Sequence, residues 1–544
     1  MEEETMPTDR LGATQASFAE NSLHRTIGWQ QGFWLASGVP ALVLFSIGGI
    51  AATIGNPSWV IWILSVSFGF LQSFVYAEIA GLFPSKSGGA SVYGAAAWVR
   101  YSRLLAPLSV WCNWLAWTPV LAIGGGLAAG YILSVFFDAD AAIRTWQITL
   151  VNLDSLKEGL TLRIDATFIL GALILLVVFA IQHGGVLRAA KFQMIVGLAV
   201  VIPLLIVGIV PLISGDVLAS NLLPLKPLAF DADGKVIEGV WNIPGWTLFL
   251  GGLFIAAWSA YAFETAICYT SEFQNPAKDT SRAILSAGLL CILVYTLVPL
   301  TFQGVLGVEG MLQDGIVDGS AVAGAMAGMV GGKSFVFALM VIMLILALLL
   351  AVMTSMAGSS RTLYQGSVDG WLPRYLSHAN SHGAPTRAMW TDLTFNLILL
   401  MMSDYLFVLA VSNCCYLIFN FLNLNAGWIH RVDSPDTPRP WRCPNPLLAI
   451  GVVLSFVNAL LLGAGANVWG EGTLMSGIIA AALIIPVFAF RHFVQDKGKF
   501  PQQMLDDLHV NSRDLSVRKA GMLPYLVLVA GVVVAIAANQ IFHL

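Results

Sequence analysis

Glu264 closes the run Ala256-Ala257-Trp258-Ser259-Ala260-Tyr261-Ala262-Phe263-Glu264, in which small residues alternate with aromatics inside an otherwise apolar stretch. Burying a lone carboxylate costs several kcal/mol unless it is neutral, hydrated or paired, so its chemistry is that of a proton carrier or a partner for a cation. A protonated glutamate bonded to a neighbouring helix is the structural alternative. Glycine clusters are the second signal. Ser46-Ile47-Gly48-Gly49-Ile50, preceded by Ser37-Gly38-Val39-Pro40, and Gly251-Gly252 ahead of Ala257 interrupt two apolar runs that lie five runs apart. Interruptions at membrane depth must line protein or water, and a matched pair of them points to a solute site. Helix packing through small residues is the competing reading, and Gly124, Gly125, Gly126 and Gly130 suit it. Glu78 and Asp392 lie nearer the ends of their runs, where capping and loop anchoring explain them. Cys112, Cys268, Cys291, Cys414, Cys415 and Cys443 form no CxxC pair and no metal spacing, and read as packing residues. The absence of a His/Ser/Asp or metal-ligand cluster at a common depth argues against an enzyme.

The elements that must position these groups follow from composition. The chain has 544 residues, 57% hydrophobic and 11% charged, with a mean hydropathy of +0.78. Ordinary soluble domains are about 25% charged, so the chain cannot cover soluble domains of this total length. Its apolar residues fall in blocks of about 20, the length of a membrane-crossing helix. Thirteen such segments run near 34–55, 57–83, 105–136, 166–182, 193–214, 246–270, 283–305, 335–357, 389–402, 404–426, 446–466, 474–490 and 523–542. They lack dyad alternation and are too long for barrel strands, which leaves an all-α polytopic membrane protein.

Charge orients it. With the N-terminus inside, 21 of the 27 Lys and Arg fall on the inner side, leaving Arg144, Lys157, Arg163, Lys226, Lys235 and Lys333 outside. The expected layout is an inner tail at 1–33, a twelve-helix core at 34–490, an inner segment at 491–522 and an additional C-terminal helix at 523–544. Residues 1–30 show no cleavable leader pattern, which places the chain in the cytoplasmic membrane with its N-terminus inside. The long loops 137–165, 215–245 and 306–334 read as solvated connectors or lids. A net charge of −4 with no basic tract excludes nucleic acid as a partner.

Three runs carry a family resemblance. Tyr76-Ala77-Glu78 with Phe83-Pro84-Ser85-Lys86-Ser87-Gly88-Gly89, the loop Glu272-Phe273-Gln274-Asn275-Pro276 through Arg282-Ala283-Ile284, and Ser360-Arg361-Thr362-Leu363-Tyr364 with Asp369-Gly370-Trp371-Leu372-Pro373 resemble the signatures of amino acid, polyamine and organocation (APC) transporters. The resemblance covers roughly residues 30–490. It implies a LeuT-type fold with two inverted five-helix repeats, twelve core helices and here a thirteenth span. It also implies solute bound at the broken middles of segments 1 and 6: Ser46, Ile47, Gly48, Gly49 and Ile50 with Ala257, Trp258, Ser259, Ala260 and Tyr261. Trp258 and Glu264 have the spacing of a W-S-x-x-G-x-E run in relatives that exchange guanidinium solutes, with Ala262 in place of the glycine. Segment 1 lacks the usual G-x-G-I-F tail.

For coupling, Ala351-Val352-Met353-Thr354-Ser355 is similar to the A-x-x-(S/T)-(S/T) pattern of sodium-coupled members. Ala351, Thr354 and Ser355 are therefore the expected sodium site; the alternatives are hydroxyls bonded back to their own helix, and a proton carried by Glu264. The lysine that some proton-coupled relatives carry on segment 5 is missing near Gly197 to Val200, and Lys191 stands too early. The expected activity is import of a small amine-bearing solute, an amino acid, by alternating access, without an organic cofactor. The alternatives are a polyamine or amino acid/decarboxylated-amine exchanger and a non-transporting sensor of the same fold.

Overall fold

The computed structural model describes residues 22–542 except 139, 232–233, 318, 320 and 508–517. Among them, eleven helices are long and apolar enough to cross a membrane, and a bent pair, Trp29–Leu42 and Ser46–Ile54 at 41°, makes a twelfth span. The thirteen segments thus become eleven or twelve by length. The exception is segment 9, whose helix Thr386–Leu400 has 15 residues. It rises about 22 Å, less than the ~30 Å hydrocarbon thickness. Its ends nevertheless meet both ends of the 18-residue segment 4, Ala166–His183. Asn380 donates from Nδ2 to the His183 carbonyl at 2.9 Å, and Arg163 N–H donates to the Met401 carbonyl at 2.8 Å. The two helices therefore run antiparallel across one thickness of the bundle.

Helix boundaries follow local chemistry. Asp165, Asn242 and Asp404 each accept from the backbone N–H three residues on, capping segments 4, 6 (Ile243–Ala260) and 10 (Tyr405–Asp433). Segment 5, Val186–Ser214, ends at Gly215 with φ of 80°, a left-handed position that glycine occupies without a Cβ clash. Two long loops carry hairpins, β1 (Gln147–Asn152) with β2 (Thr161–Asp165) and β3 (Leu228–Phe230) with β4 (Val236–Glu238), both antiparallel.

Segments 6 and 10 form the centre. Their apolar windows are 83% and 78% buried, against 17% for segment 13, Leu523–Ile541. Segment 13 docks on segment 11 (Asn445–Gly465) at Gly463, where a Cβ would stand 2.0 Å from the Ala535 carbonyl oxygen. Its other face exposes Leu526, Val529 and Val533, a surface suited to hydrocarbon.

Among the described residues, the ion pairs join stretches that the charge count assigns to the same group. Lys86 with Asp369, Arg361 with Glu272, Arg374 and Arg491 with Asp496, and Arg431 and Arg439 with Glu78 join segments assigned to the inner side. Lys157 with Asp404 and Arg163 with Asp165 join segments assigned to the outer side.

Candidate functional site

Segment 1 is interrupted earlier than its glycine pair suggests. The helix Trp29–Leu35 gives way to a turn and a short 3-10 piece, Pro40–Leu42, before Val43–Ile54 resumes. Ser37-Gly38-Val39-Pro40 is thus the irregular stretch, whereas Ser46, Ile47, Gly48, Gly49 and Ile50 lie inside regular helix. The interruption expected at those five residues therefore lies about two to three turns earlier in the chain. Gly48 has a packing reason: a Cβ there would lie 2.0 Å from the carbonyl oxygen of Ile316, in the short helix Asp314–Val317. Gly38 permits close approach at the break itself, since a Cβ would stand 2.5 Å from the Leu350 carbonyl of segment 8.

In segment 6 the glycine pair Gly251-Gly252 lies inside regular helix, and the change of geometry comes at Tyr261, the last of the residues Ala257 to Tyr261 expected to be broken. Its α-helix stops at Ala260, Tyr261 is the junction, and Ala262–Glu272 continues as tighter 3-10 turns. The 3-10 pattern releases carbonyls from the regular ladder. Ser259 O and Val39 O then face one donor, the Tyr295 hydroxyl of segment 7, at 3.1 and 2.8 Å. A single hydroxyl proton serves one carbonyl at a time, so Tyr295 marks the point at which the two interruptions meet. Sequence reading missed Tyr295, a lone phenol in an apolar helix with no motif around it.

Trp258 is buried and donates from its indole N–H toward the Ala116 carbonyl at 3.1 Å and Ser412 Oγ at 3.2 Å, joining segments 3 and 10. Tyr261 turns to segment 2, its ring against Gly69, where a Cβ would stand 2.7 Å away. Ala257 and Ala260 are buried small residues of the same helix. Glu264 lies in the 3-10 stretch, fully buried, and its Oε1 accepts from the Trp117 indole at 2.9 Å.

Asp392 is a second buried carboxylate, not a loop anchor. It lies within the segment 9 helix, inaccessible to solvent. Trp114 Nε1 donates to it at 2.8 Å, Thr118 Oγ1 at 2.6 Å, and Ser359 Oγ on the other oxygen. The available signal was Asn396, one turn on and also buried, which donates to Thr118 Oγ1 at 2.6 Å. Glu78 does act as an anchor: Arg431, Arg439 and the Cys443 N–H all donate to it.

Ala351, Thr354 and Ser355 share segment 8, but the two hydroxyls diverge. Thr354 Oγ1 accepts from Gly38 N at 3.2 Å, at the segment 1 break, whereas Ser355 Oγ donates to the Trp117 carbonyl at 2.6 Å. On segment 5, Gly197 faces the same break, a Cβ there coming within 2.9 Å of Ser37 Oγ. One turn earlier Gln193, fully buried and oriented with its amide nitrogen toward segment 1, donates to the Trp34 and Leu35 carbonyls, each at 3.2 Å. A neutral amide thus meets the carbonyls that end the first half of segment 1.

The three signature runs converge at one end of the bundle. Lys86 pairs with Asp369 at 2.6 Å, and Arg361 grips Glu272 with two bonds of 2.5 and 2.9 Å while lying 4.9 Å over the Tyr269 ring. Thr362 Oγ1 donates to the Gly88 carbonyl at 2.8 Å, and the Ser87 and Ser271 hydroxyls are 2.6 Å apart. Residues 27–491 match the family profile described as "Amino acid permease". The chain belongs to the amino acid permease family. This is a transporter family within the APC superfamily, so membership implies the LeuT-type fold and no enzymatic role.

Among curated members of the superfamily, the polyamine transporter PUT1 of Oryza sativa subsp. japonica is 22% identical over 463 residues, 80% of this chain and 75% of its own length. The branched-chain amino acid permease BcaP of Lactococcus lactis subsp. cremoris (strain MG1363) is 22% identical over 475 residues, 84% and 93% of the two chains. The methylthioribose transporter of Bacillus subtilis (strain 168) is 26% identical over 263 residues, about half of each chain (48% and 50%). Permeases this distant differ in solute, so membership leaves the substrate open.

Proposed function

We propose that this permease imports a small amine-bearing solute, an amino acid in the first instance, across the cytoplasmic membrane with its N-terminus inside, by rocking around the interruptions of segments 1 and 6. The Tyr295 hydroxyl carries this reading, because Val39 O and Ser259 O converge on a hydrogen-bond donor, which is what a solute ammonium would present. Exposed N–H groups at the resumed helix starts would hold its carboxylate. The binding set moves with the break: Ser37, Gly38 and Val39 take over from Ser46 to Ile50, and Ala257, Trp258, Ser259, Ala260 and Tyr261 remain. The amino acid reading draws on the likeness to the branched-chain permease along most of both chains, and the polyamine alternative on the likeness to PUT1.

For the driving ion, the diverging hydroxyls of Thr354 and Ser355 support the proton alternative, through Glu264, over sodium at Ala351, Thr354 and Ser355. Uptake of labelled amino acids and polyamines into proteoliposomes tests both points, first with sodium replaced by choline, then with a pH gradient at fixed sodium. Accumulation that requires sodium and fails in Thr354→Ala with Ser355→Ala would restore the sodium reading; binding without transport under any gradient would leave a sensor. Trp258→Ala should weaken solute binding at least tenfold in a protein that still purifies as one species, in line with an aromatic contact worth about 0.5–2 kcal/mol before packing is counted.

A further inference from the structure

Beside the layer of signature runs lies a cavity of about 1060 Å³, whose wall is assembled from stretches far apart in the chain: residues between 22 and 25, Ser85 with Ser271, residues between 364 and 377, and residues between 491 and 503. Its lining carries four basic side chains, Arg25, Arg374, Arg491 and Lys499, against one carboxylate, Asp496. Asp496 is already shared, because Arg374 Nε donates to one oxygen at 2.9 Å and Arg491 Nε to the other at 2.6 Å. Arg491 is buried in the wall, where its Nη1 also donates to the Leu372 carbonyl at 2.9 Å. The Arg25 guanidinium meets only neutral acceptors, the carbonyls of Ser271 and Pro84. Among the described residues no carboxylate pairs with Arg25 or Lys499. Four cations against one carboxylate leave a surplus of three positive charges around a single concavity.

A concave site lined by one sign of charge concentrates the opposite sign. Its donors then select among anions. A lone carboxylate satisfies one guanidinium, whereas a phosphate group offers several oxygens and about two charges to the planar forks of arginine. The volume exceeds what one phosphate fills and suits an ester the size of an ordinary small-molecule ligand. Arg491 lies near the end of segment 12, Thr473–Gln495, and Asp496 follows it, which sets the cavity at the level of lipid headgroups. A soluble phosphate ester and the headgroup of an anionic phospholipid both present this chemistry at this depth. We propose that the basic vestibule is a binding site for a phosphate-bearing anion, separate from the solute site. The 3-10 stretch Ala262–Glu272 stands between it and the segment 6 junction at Tyr261. The anion meets the chain ahead of segment 1 through Arg25, the turn after segment 8 through Arg374, and the end of segment 12 through Arg491. It thus ties together elements from both ends of the chain, and binding stabilises their arrangement by mass action.

The test does not depend on which solute is moved. Radiolabelled pyrophosphate is the probe, and its binding to the detergent-purified full chain is followed by equilibrium dialysis at fixed ionic strength. One saturable site per chain is expected. Arg25→Gln with Lys499→Gln should weaken it at least tenfold, whereas Lys278→Gln with Arg442→Gln, which removes two exposed charges outside the cavity, should change it less than twofold. A reading that leaves every cavity charge in place uses Gln503→Cys, on the cavity wall. Saturating pyrophosphate should slow alkylation of the introduced thiol by N-ethylmaleimide at least threefold, and the six native cysteines are buried. Nanodiscs distinguish the two sources of phosphate. If a headgroup is the occupant, phosphatidylglycerol in place of phosphatidylcholine slows the same alkylation at least threefold without pyrophosphate, and the slowing disappears with Arg25→Gln and Lys499→Gln; if a soluble ester is the occupant, the rate is equal in both lipids and only pyrophosphate slows it. No saturable binding, equal weakening by the two double variants, or no protection of the Gln503→Cys thiol by either source would overturn the proposal.

Discussion

Glu264 and Asp392 are both inaccessible carboxylates inside the bundle, yet their surroundings differ sharply. Asp392 takes three side-chain donors, Trp114 and Thr118 from segment 3 and Ser359 from segment 8. Glu264 takes an indole donor from Trp117, one turn from Trp114 on the same helix, and sits where segment 6 has left α-helical geometry. A carboxylate gripped from two helices rivets segment 9 to the scaffold. One held at close range by the Trp117 indole, with the Asn113 side chain and the Ala90 N–H as longer-range donors, beside an interrupted helix can change its proton or its partner at smaller cost, which is what the proposed coupling role needs.

The largest effect should come from Asp392→Ala, which strands three buried donors at about 1–3 kcal/mol each. We expect the greatest loss of thermal stability in the purified protein; an equal loss in Glu264→Ala would erase the contrast. Asp392→Asn keeps the shape but turns an amide nitrogen toward donors, and should cost about 1–3 kcal/mol, enough to lower the melting temperature measurably. Trp117→Phe and Trp114→Phe sharpen the comparison, because each removes one indole bond worth about 0.5–1.5 kcal/mol, or up to about 3 kcal/mol when the acceptor is charged. Their stabilities should fall by similar amounts, while the pH dependence of uptake moves only in Trp117→Phe. Glu264→Gln should cost the least, under about 1 kcal/mol, since its carbonyl still accepts from Trp117. Its signature is loss of the response to a pH gradient, and full retention of that response would remove Glu264 from the coupling path.

The end of the bundle where the signature runs meet shows why the family signatures are spaced as they are. Lys86, Glu272, Arg361 and Asp369 look like isolated charges in the chain, and folding pairs them within one layer. Breaking a buried pair by removing one partner leaves an uncompensated charge at about 3–5 kcal/mol, whereas replacing both with apolar groups is often tolerated. Their sequence spacing therefore records a tertiary constraint.

The sequence by itself determined most of the apolar spans, the sorting of charged loops into two groups and the family. Those features rest on composition and on periods of a few residues, which local physics reads directly. Tertiary structure alone decided which glycines interrupt and which merely admit a neighbour, as Gly38 and Gly48 demonstrate. It also turned Thr354 and Ser355 toward different helices, buried Asp392 among donors from segments 3 and 8, and placed Tyr295 between two carbonyls. In each case the deciding contact joins residues far apart in the chain, and the side-chain type fits both the local and the long-range partner. A hydroxyl, a glycine or a carboxylate in an apolar helix carries no record of which neighbour it will meet until the helices pack.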